Sequence, residues 1–269
     1  MIEYFAEIGS NFITKDGKSM QRAIELIDKA KQVGCAGVKF QYFKAEKLWH
    51  PNMKEELEAA RERELPIEWA KALSVNARKK GLLFGLSVFD IESVNGLVDY
   101  VDYFKIASFE AGWLDLVREA YKTNKRLMIS LGQSDKKEIM EIIQNLPPQN
   151  NQIDILHCTS NYPTQIKDCN LEIIKYNQFI NGWSDHSRHP AVLYAAVGSG
   201  AKLIEFHLDL DDREGLEDSH SWSNTHILVA TMINIEAMEE AMGTSDWDKI
   251  IKLQDRKYKV NPITGLRGA

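Results

Sequence analysis

Short apolar runs alternate with amphipathic helical patterns along the chain. The first run is YFAEIG (4–9), and the helical pattern over 18–33 that follows it closes at Gly34, a residue type favoured just past a helix. Seven more runs follow, each with its own helical pattern, at 37–43, 82–89, 103–108, 126–132, 152–160, 179–185 and 202–210. Near-continuous apolar strands are typical of a parallel sheet buried on both faces, so eight such units in this length predict an α/β fold, a closed (β/α)8 TIM barrel.

One barrel domain over 1–245 accounts for this pattern, and residues 246–269 are predicted to form a short basic tail. A doubly wound open sheet is the structural alternative, but no glycine-rich dinucleotide turn follows the first strand. Within the barrel, Ser134 is the predicted N-cap of a helix over 134–145. The charged segment over 53–64 is predicted to lie on the surface.

Composition narrows the class of protein. The 269 residues include 33 Lys plus Arg and 39 Asp plus Glu, a net charge of −6, which removes the usual electrostatic basis for nucleic-acid binding. The three cysteines have no disulfide spacing, which favours a reducing compartment. The acidic N-terminus and the lack of an apolar stretch of about 18 residues argue against a signal peptide and a membrane span. A cytoplasmic protein without a membrane or nucleic-acid partner is expected.

Polar residues collect where the predicted strands end, and the carboxyl ends of barrel strands are where active sites form. Leaving so many polar groups in buried strand ends would be costly without a ligand to satisfy them. We therefore interpret the set as a site, comprising Glu7, Lys39, Gln41, Ser87, Lys105, Ser108, Ser130, Thr159, Ser160, Tyr162, Ser184, Asp185, His186, Glu205 and His207.

The two lysines of this set lie inside apolar strands and are the most informative of its residues. Lys39 and Lys105 each need an anion once they are buried. Ion pairs with Glu7 or Glu110 would supply it, whereas two lysines with several serine hydroxyls would cradle a phosphate and a carboxylate. A lone barrel lysine could instead form a Schiff base, so a class I aldolase using Lys39 or Lys105 is an alternative.

Two histidines end the seventh and eighth predicted strands, which neighbour each other in a barrel. His186 and His207 could share one divalent ion with oxygen partners, suited to Mn, Fe, Zn or Mg; a hydrogen-bonding role is the alternative. Asp185 is predicted to orient a neighbouring side chain. His157 is predicted to be a core histidine. His220 lies in the polar loop GLEDSHSW, which either forms a solvated turn or contributes to the site.

Taken in order, these segments resemble the N-acetylneuraminate (sialic acid) synthase family. The resemblance runs from about residue 3 to 218 and is carried by the motifs AEIGSNF, AGVKFQYFKAEKLW, FKIAS, ISLGQ, LHCTSNYPT, GWSDHS and IEFHLDLD. It implies condensation of phosphoenolpyruvate with an open-chain aldose such as N-acetylmannosamine. The products would be a 3-deoxy-2-keto sugar acid and phosphate, with Mn²⁺ or Mg²⁺ as the cofactor and a homodimer as the assembly.

The resemblance also assigns roles by position. It places the metal on His186 and His207, and catalytic roles on Glu7, Lys39, Gln41 and Asp218. It places phosphoenolpyruvate on Lys39, Ser87, Lys105, Ser108, Ser130, Ser160 and Ser184. It places the sugar on Glu7, Gln41, Tyr162 and Asp218, and prefers Asp218 over Glu217 as the ligand-contacting carboxylate of its loop.

Two departures from the family pattern stand out. Typical members carry a C-terminal antifreeze-like domain that contributes an arginine to the partner's sugar site. No such domain is expected here, although Arg267 in the tail could reach a ligand. The loop LDLDDREGLED also differs from the family's usual form. A synthase of a shorter 3-deoxy-ulosonic acid and a non-catalytic sugar-binding barrel therefore remain alternatives beside the Schiff-base aldolase.

Overall fold

Eight parallel strands close into a barrel in the computed structural model, which describes residues 2–14, 17–146, 153–210, 215–243, 245–246 and 249–250. Each strand pairs with the next one along the chain, and the eighth returns to the first through pairs running from Glu3 with Leu203 to Glu7 with His207. The predicted (β/α)8 barrel is confirmed, and closure rules out the open sheet. Arg267 and the tail beyond residue 250 lie outside the described residues.

The barrel strands follow the predicted apolar runs. Numbered in chain order, they are β1 Glu3–Gly9, β2 Gly37–Tyr42, β3 Leu83–Val88, β4 Tyr103–Ile106, β5 Arg126–Ser130, β6 Ile153–Cys158, β7 Gly182–Asp185 and β8 Leu203–His207. A two-stranded hairpin of Ile13–Thr14 and Gly17–Lys18, which the pattern did not predict, follows β1.

Helices cover the outside of the barrel. They are α1 Met20–Gln32, α2 Ala45–Leu48, α3 Lys54–Arg63, α4 Ile67–Lys79, α5 Ile91–Leu97, α6 Leu114–Lys122, α7 Lys136–Asn145, α8 Glu172–Tyr176, α9 Pro190–Gly198 and α10 Thr225–Met242. Among the helices that the structure describes, none is long and apolar enough to cross a bilayer.

The N-cap of α7 corrects one local prediction. Asp135, and not Ser134, holds this position. The Asp135 carboxylate accepts hydrogen bonds from the amides of Lys137 and Glu138, and the Glu138 side chain accepts one from the Asp135 amide. This reciprocal capping box satisfies more of the free amides than a serine hydroxyl one residue earlier could.

The inside of the barrel changes from apolar to polar along its axis. Its base is a cluster of Phe5, Tyr103, Met128, Leu156 and Leu203. Side chains in a strand alternate between faces, so the next inward positions lie two residues further on. In β1, β4, β5 and β8 these positions carry Glu7, Lys105, Ser130 and Glu205. The strand period thus places a polar layer directly above an apolar floor.

Candidate active site

A cavity of about 290 Å³ opens at the carboxyl ends of the strands. Most residues predicted for the site line it, namely Glu7, Lys39, Gln41, Ser87, Lys105, Ser108, Ser130, Tyr162, Ser184, His186, Glu205 and His207. Ser160 and Asp218 are not among its lining residues; Ser160 Oγ lies 3.9 Å from Cys158 Sγ beside the cavity. The structure therefore gathers residues up to 200 positions apart in the chain into one small space.

Two buried lysines and two buried glutamates form the floor of this cavity. Lys39 contacts the Glu7 carboxylate and donates a 2.9 Å hydrogen bond to Ser87 Oγ. Glu205 lies between the lysines: Lys105 Nζ is 3.2 Å from its Oε1, and Lys39 Nζ is 3.6 Å from its Oε2. Ion pairs of this kind were predicted, but the acidic partner of Lys105 is Glu205 and not Glu110.

Burial and charge oppose each other in this group. Burial lowers the pKa of Lys39 to about 8, although the neighbouring Glu205 carboxylate pulls it back up. Burial alone would raise the pKa of Glu205, but the ammonium groups of Lys105 and Lys39 outweigh burial and lower it. Glu205 is therefore a carboxylate at neutral pH, and its position depends on both lysines.

One hydroxyl in this polar layer has no protein partner. Ser130 Oγ is buried, lines the cavity and makes no hydrogen bond within the described part of the chain. Nearby, Ser108 Oγ accepts from the Gly132 amide at 3.3 Å, and Ser184 Oγ donates to Glu205 at 2.9 Å. Since an unsatisfied buried hydroxyl costs free energy, Ser130 is placed to bind a ligand oxygen.

Three histidines, His186, His207 and His220, form part of the wall of the same cavity. The ring centroids of His186 and His207 are 5.3 Å apart, and that of His220 is 4.5 Å from His207. Tyr162 packs on His186 and on His220, with centroid distances of 4.3 and 4.9 Å. The open question about His220 is thus answered by position, because it is buried at the cavity wall.

The imidazoles of His186 and His220 are in the charge state that metal ligation requires. Burial and the neighbouring His207 lower the pKa of His186 to about 3 and that of His220 to about 4, so both are neutral at pH 7. Donor atoms of His207, Glu217 and His220 all lie within 4.8 Å of one another. Neutral imidazoles beside a carboxylate are ligands that divalent transition metals prefer, so these residues fit such an ion.

Glu217 occupies the place predicted for Asp218. Its carboxylate accepts from the Ser10 amide at 2.7 Å and lies 2.7 Å from His207 Nδ1, and its own amide donates to Asn11 Oδ1 at 2.8 Å. Burial alone would raise the pKa of Glu217, but the hydrogen bond and charge of His207, the Ser10 amide and His220 together outweigh burial and lower it. Asp218 starts the next short helical turn, and its nearest cation is Arg188, 4.0 Å away.

The backbone after β1 leaves room for this carboxylate. Gly9 has φ of +53°, and a Cβ built there would lie 2.0 Å from Glu217 Oε2. The strand register shifts between Glu7 and Gly9, which turns the chain sharply at the cavity wall. A glycine is required here both by the dihedral angle and by the close approach.

Some lining residues were missed or undervalued at the level of sequence. Glu205 was included in the predicted set but was given no role. Its position could be inferred from the sequence, because it lies two residues before His207 in β8 and so faces inward with it. Glu217 and His220 lie in a loop without periodicity, where no pattern shows which side chain faces inward. Arg63, at the end of α3, reaches the cavity mouth although its segment was predicted only to lie on the surface. Asp185, as predicted, orients neighbours: it accepts from Trp183 Nε1 and Trp222 Nε1.

Comparison with known proteins places these residues in a family. Residues 26–246 match the model of the NeuB family. The chain belongs to the NeuB family. This membership confirms the resemblance to sialic acid synthases that the motifs carry.

Three relatives illustrate the range of the match. The spore coat polysaccharide biosynthesis protein SpsE of Bacillus subtilis is 33% identical over 224 residues, 77% of this chain and 59% of that protein. The N,N'-diacetyllegionaminic acid synthase of Campylobacter jejuni is 30% identical over 242 residues, 82% of this chain and 72% of that protein. The crystal structure of an N-acetylneuraminic acid synthetase from Leptospira borgpetersenii superposes with a TM-score of 0.84 at 25% identity, covering 93% of this chain and 90% of that one. The chain thus spans little more than half the length of the Bacillus relative.

Proposed function

We propose that this chain condenses phosphoenolpyruvate with an open-chain aldose, forming a 3-deoxy-2-keto sugar acid of the sialic acid type and phosphate. The observation that carries the proposal is the meeting, in one cavity of about 290 Å³, of a buried lysine pair with a cluster of imidazoles. The first suits a small dianionic or trianionic substrate, and the second suits a divalent cation. Family membership supports the same reaction class.

The lysines and hydroxyls are the proposed binding site for phosphoenolpyruvate. Lys39 and Lys105 would neutralise its phosphate and carboxylate, since charge-assisted hydrogen bonds are about twice as strong as neutral ones. The free hydroxyl of Ser130 would take one ligand oxygen. Further hydroxyls at the same level of the barrel come from Ser87, Ser108 and Ser184.

The formal charges explain why a cation belongs in the proposal. Lys39, Arg63 and Lys105 supply three positive charges, and Glu7, Glu205 and Glu217 supply three negative ones, so the sum 3 − 3 is 0. A balance of zero gives no net attraction for an anionic substrate in this site. His186 and His207 would hold the divalent cation, with Glu217 behind His207. When bound, such an ion would give the site a net positive charge and would polarise the aldehyde oxygen of the sugar.

The proposed reaction has three bond changes. The enol C3 of phosphoenolpyruvate bonds to the aldehyde carbon, whose oxygen takes up a proton and becomes a hydroxyl, and positive charge is left at C2, shared with its oxygen. Water adds to C2 and loses a proton, which replaces the one taken up by the aldehyde oxygen. The C2–O bond to the phosphate then breaks, the hemiketal hydroxyl proton leaves with inorganic phosphate, and C2 becomes the ketone of the 2-keto acid. Positioning two reactants in one cavity supplies much of the rate. The carboxylates of Glu7 and Glu205 would stabilise the positive charge at C2, and Glu7, which contacts Lys39 Nζ, would take the proton that the attacking water loses.

The aldose is proposed to enter at the mouth of the cavity. Gln41, Arg63, Tyr162 and Glu217 line this space. A second cavity of about 350 Å³ shares Gln41, Arg63 and Glu217 with the first and continues along Phe43, Leu48 and Trp49. A substrate about six carbons long, with an acyl substituent, would extend from the polar floor into this half-apolar space. N-acetylmannosamine and related amino sugars fit that description.

Phosphate release from phosphoenolpyruvate tests the proposal. The assay uses a panel of aldoses, each with Mn²⁺, with Mg²⁺ and with a chelator. We expect release only when a suitable aldose and a divalent ion are both present. His207→Ala should abolish it, whereas the matched change at an exposed histidine, His226→Ala, should leave it intact. Normal turnover by His207→Ala, or release that needs no aldose, would overturn the proposal.

A further inference from the structure

Three imidazoles, and not two, surround the histidine end of the cavity. The ring centroids of His186, His207 and His220 form a triangle with sides of 4.5, 5.3 and 6.3 Å. With metal–nitrogen bonds of about 2.0–2.1 Å, three rings on one tetrahedral ion would have centroids roughly 5 Å apart. The sides that meet at His207 are close to that size, and the side of 6.3 Å between His186 and His220 is longer, so one ion would reach all three rings once the His186 ring turns toward His220.

Each ring is oriented by a hydrogen bond at the same nitrogen. His186 Nδ1 lies 2.9 Å from the Thr159 carbonyl oxygen, and His207 Nδ1 lies 2.7 Å from Glu217 Oε2. His220 Nδ1 lies 3.1 Å from Ser219 Oγ. Outer hydrogen bonds of this kind fix the tautomer of a ligating histidine and aim its other nitrogen at the metal. In the part of the chain that the structure describes, none of the three Nε2 atoms makes a hydrogen bond.

The packing around His220 holds its ring in a defined position at the cavity wall. The residue is buried, its ring meets Tyr162 edge-on at a centroid distance of 4.9 Å, and its Nε2 is 4.0 Å from Glu217 Oε2. His220 also lines the cavity, where a nitrogen without a protein partner is available to a ligand. A structural histidine in this loop would be expected to use both nitrogens, whereas here only Nδ1 is satisfied.

We propose that His220 is a third imidazole ligand, so that the metal centre of this chain is a three-histidine site with Glu217 orienting His207. The inference rests on the proposed function, because it concerns the same cavity. Three imidazoles favour ions of intermediate softness such as Fe²⁺, Co²⁺ or Zn²⁺, while Mg²⁺ prefers oxygen ligands and water. The chain should therefore select these transition metals strongly over Mg²⁺.

Metal binding without either substrate tests this inference. The metal-free full chain is titrated with Co²⁺ and with Mg²⁺, following heat and the visible absorption of Co²⁺. The variants are His220→Ala and His220→Phe, which keeps an aromatic ring against Tyr162 but has no donor nitrogen. His226→Ala removes an exposed histidine and serves as the matched control. Thermal unfolding of each metal-free protein shows whether the variants fold.

We expect both His220 variants to bind Co²⁺ at least tenfold more weakly, with a changed absorption spectrum, while His226→Ala matches the parent protein. The preference for Co²⁺ over Mg²⁺ should shrink by a similar factor. Unchanged Co²⁺ affinity and spectrum in a folded His220→Phe protein would overturn the inference and leave the proposed reaction standing. A three-histidine spectrum in a protein that condenses no aldose would support the inference and contradict the proposed reaction. If neither variant folds, the parent spectrum decides, because a two-nitrogen Co²⁺ site contradicts the inference.

Discussion

Glu205 Oε1 lies 3.2 Å from Lys105 Nζ inside the barrel, with both side chains buried. The other oxygen of the same carboxylate lies 3.6 Å from Lys39 Nζ. A buried ammonium group needs an anion close by. The Glu205 carboxylate supplies one to both lysines, so the two ammonium groups can lie side by side in the floor of one cavity.

Glu205→Gln should destabilise the ligand-free protein markedly. Removing one partner from a buried ion pair typically costs 3–5 kcal/mol, because the remaining charge is left in a poor solvent. Urea denaturation at pH 7 measures the change. The control is Glu58→Gln, which removes an exposed partner of Arg61 and should cost less than about 1 kcal/mol. Equal stabilities for the two variants would contradict the role given to Glu205.

Gly9→Ala should weaken metal binding by displacing Glu217. The new Cβ would lie 2.0 Å from Glu217 Oε2, in addition to the strain of φ +53°. Gly243→Ala is a closely matched control, since Gly243 has φ of +55° but its nearest atoms are 3.9 Å from a built Cβ. Titration with Co²⁺ should show at least a tenfold loss of affinity for Gly9→Ala only. A similar loss in both variants would mean that backbone strain, and not contact with Glu217, is responsible.

Glu110 should give the folded protein a distinct pH dependence. Burial raises the pKa of Glu110 to about 7, from an ordinary value of 4.5. Between these values the folded state binds the proton and the unfolded state does not, so stability from this group is complete below pH 4.5 and lost as pH rises through 7. The linked free energy is about 3 kcal/mol at most.

Glu110→Gln should therefore flatten the decline in stability between pH 5 and pH 8. Urea denaturation at several pH values, with exposed Glu55→Gln as the control, measures the slope. A slope that Glu110→Gln leaves unchanged would show that the Glu110 carboxyl does not hold its proton in the folded protein.

Borohydride treatment with pyruvate separates the synthase from the Schiff-base aldolase. Lys39 and Lys105 are engaged by Glu7 and Glu205, which favours their role as charges over attack on a carbonyl. Intact-mass measurement should show no covalent adduct on the parent protein. An adduct that disappears in Lys39→Arg or Lys105→Arg would support the aldolase.

The fold could be predicted because its signals are local and repeat eight times. Apolar runs and helical periodicity each depend on a few neighbouring residues, and closure follows from the number of units. The choice between Ser134 and Asp135 as N-cap could not be made in this way. Both residue types cap helices, and the two-way hydrogen bonding with Glu138 decides between them.

The site could be predicted where strands carry it and not where loops do. The inward position of Lys105 and Ser130 follows from the strand period. The choice between Glu217 and Asp218 depends on contacts with Ser10 and Asn11, which lie more than 200 residues earlier in the chain. No local pattern contains that information. The homodimer and the cytoplasmic location stay predictions.

Formation of the new carbon–carbon bond is the most direct test of the proposed condensation. The chain is incubated with phosphoenolpyruvate labelled with ¹³C at C3, a divalent ion and N-acetylmannosamine or another active aldose, and the products are followed by ¹³C NMR and mass spectrometry. The account predicts a sugar acid with the combined mass of the aldose and pyruvic acid, its label in a methylene group, and one phosphate released per molecule. Phosphate accompanied only by labelled pyruvate, with no sugar acid from any aldose, would contradict it.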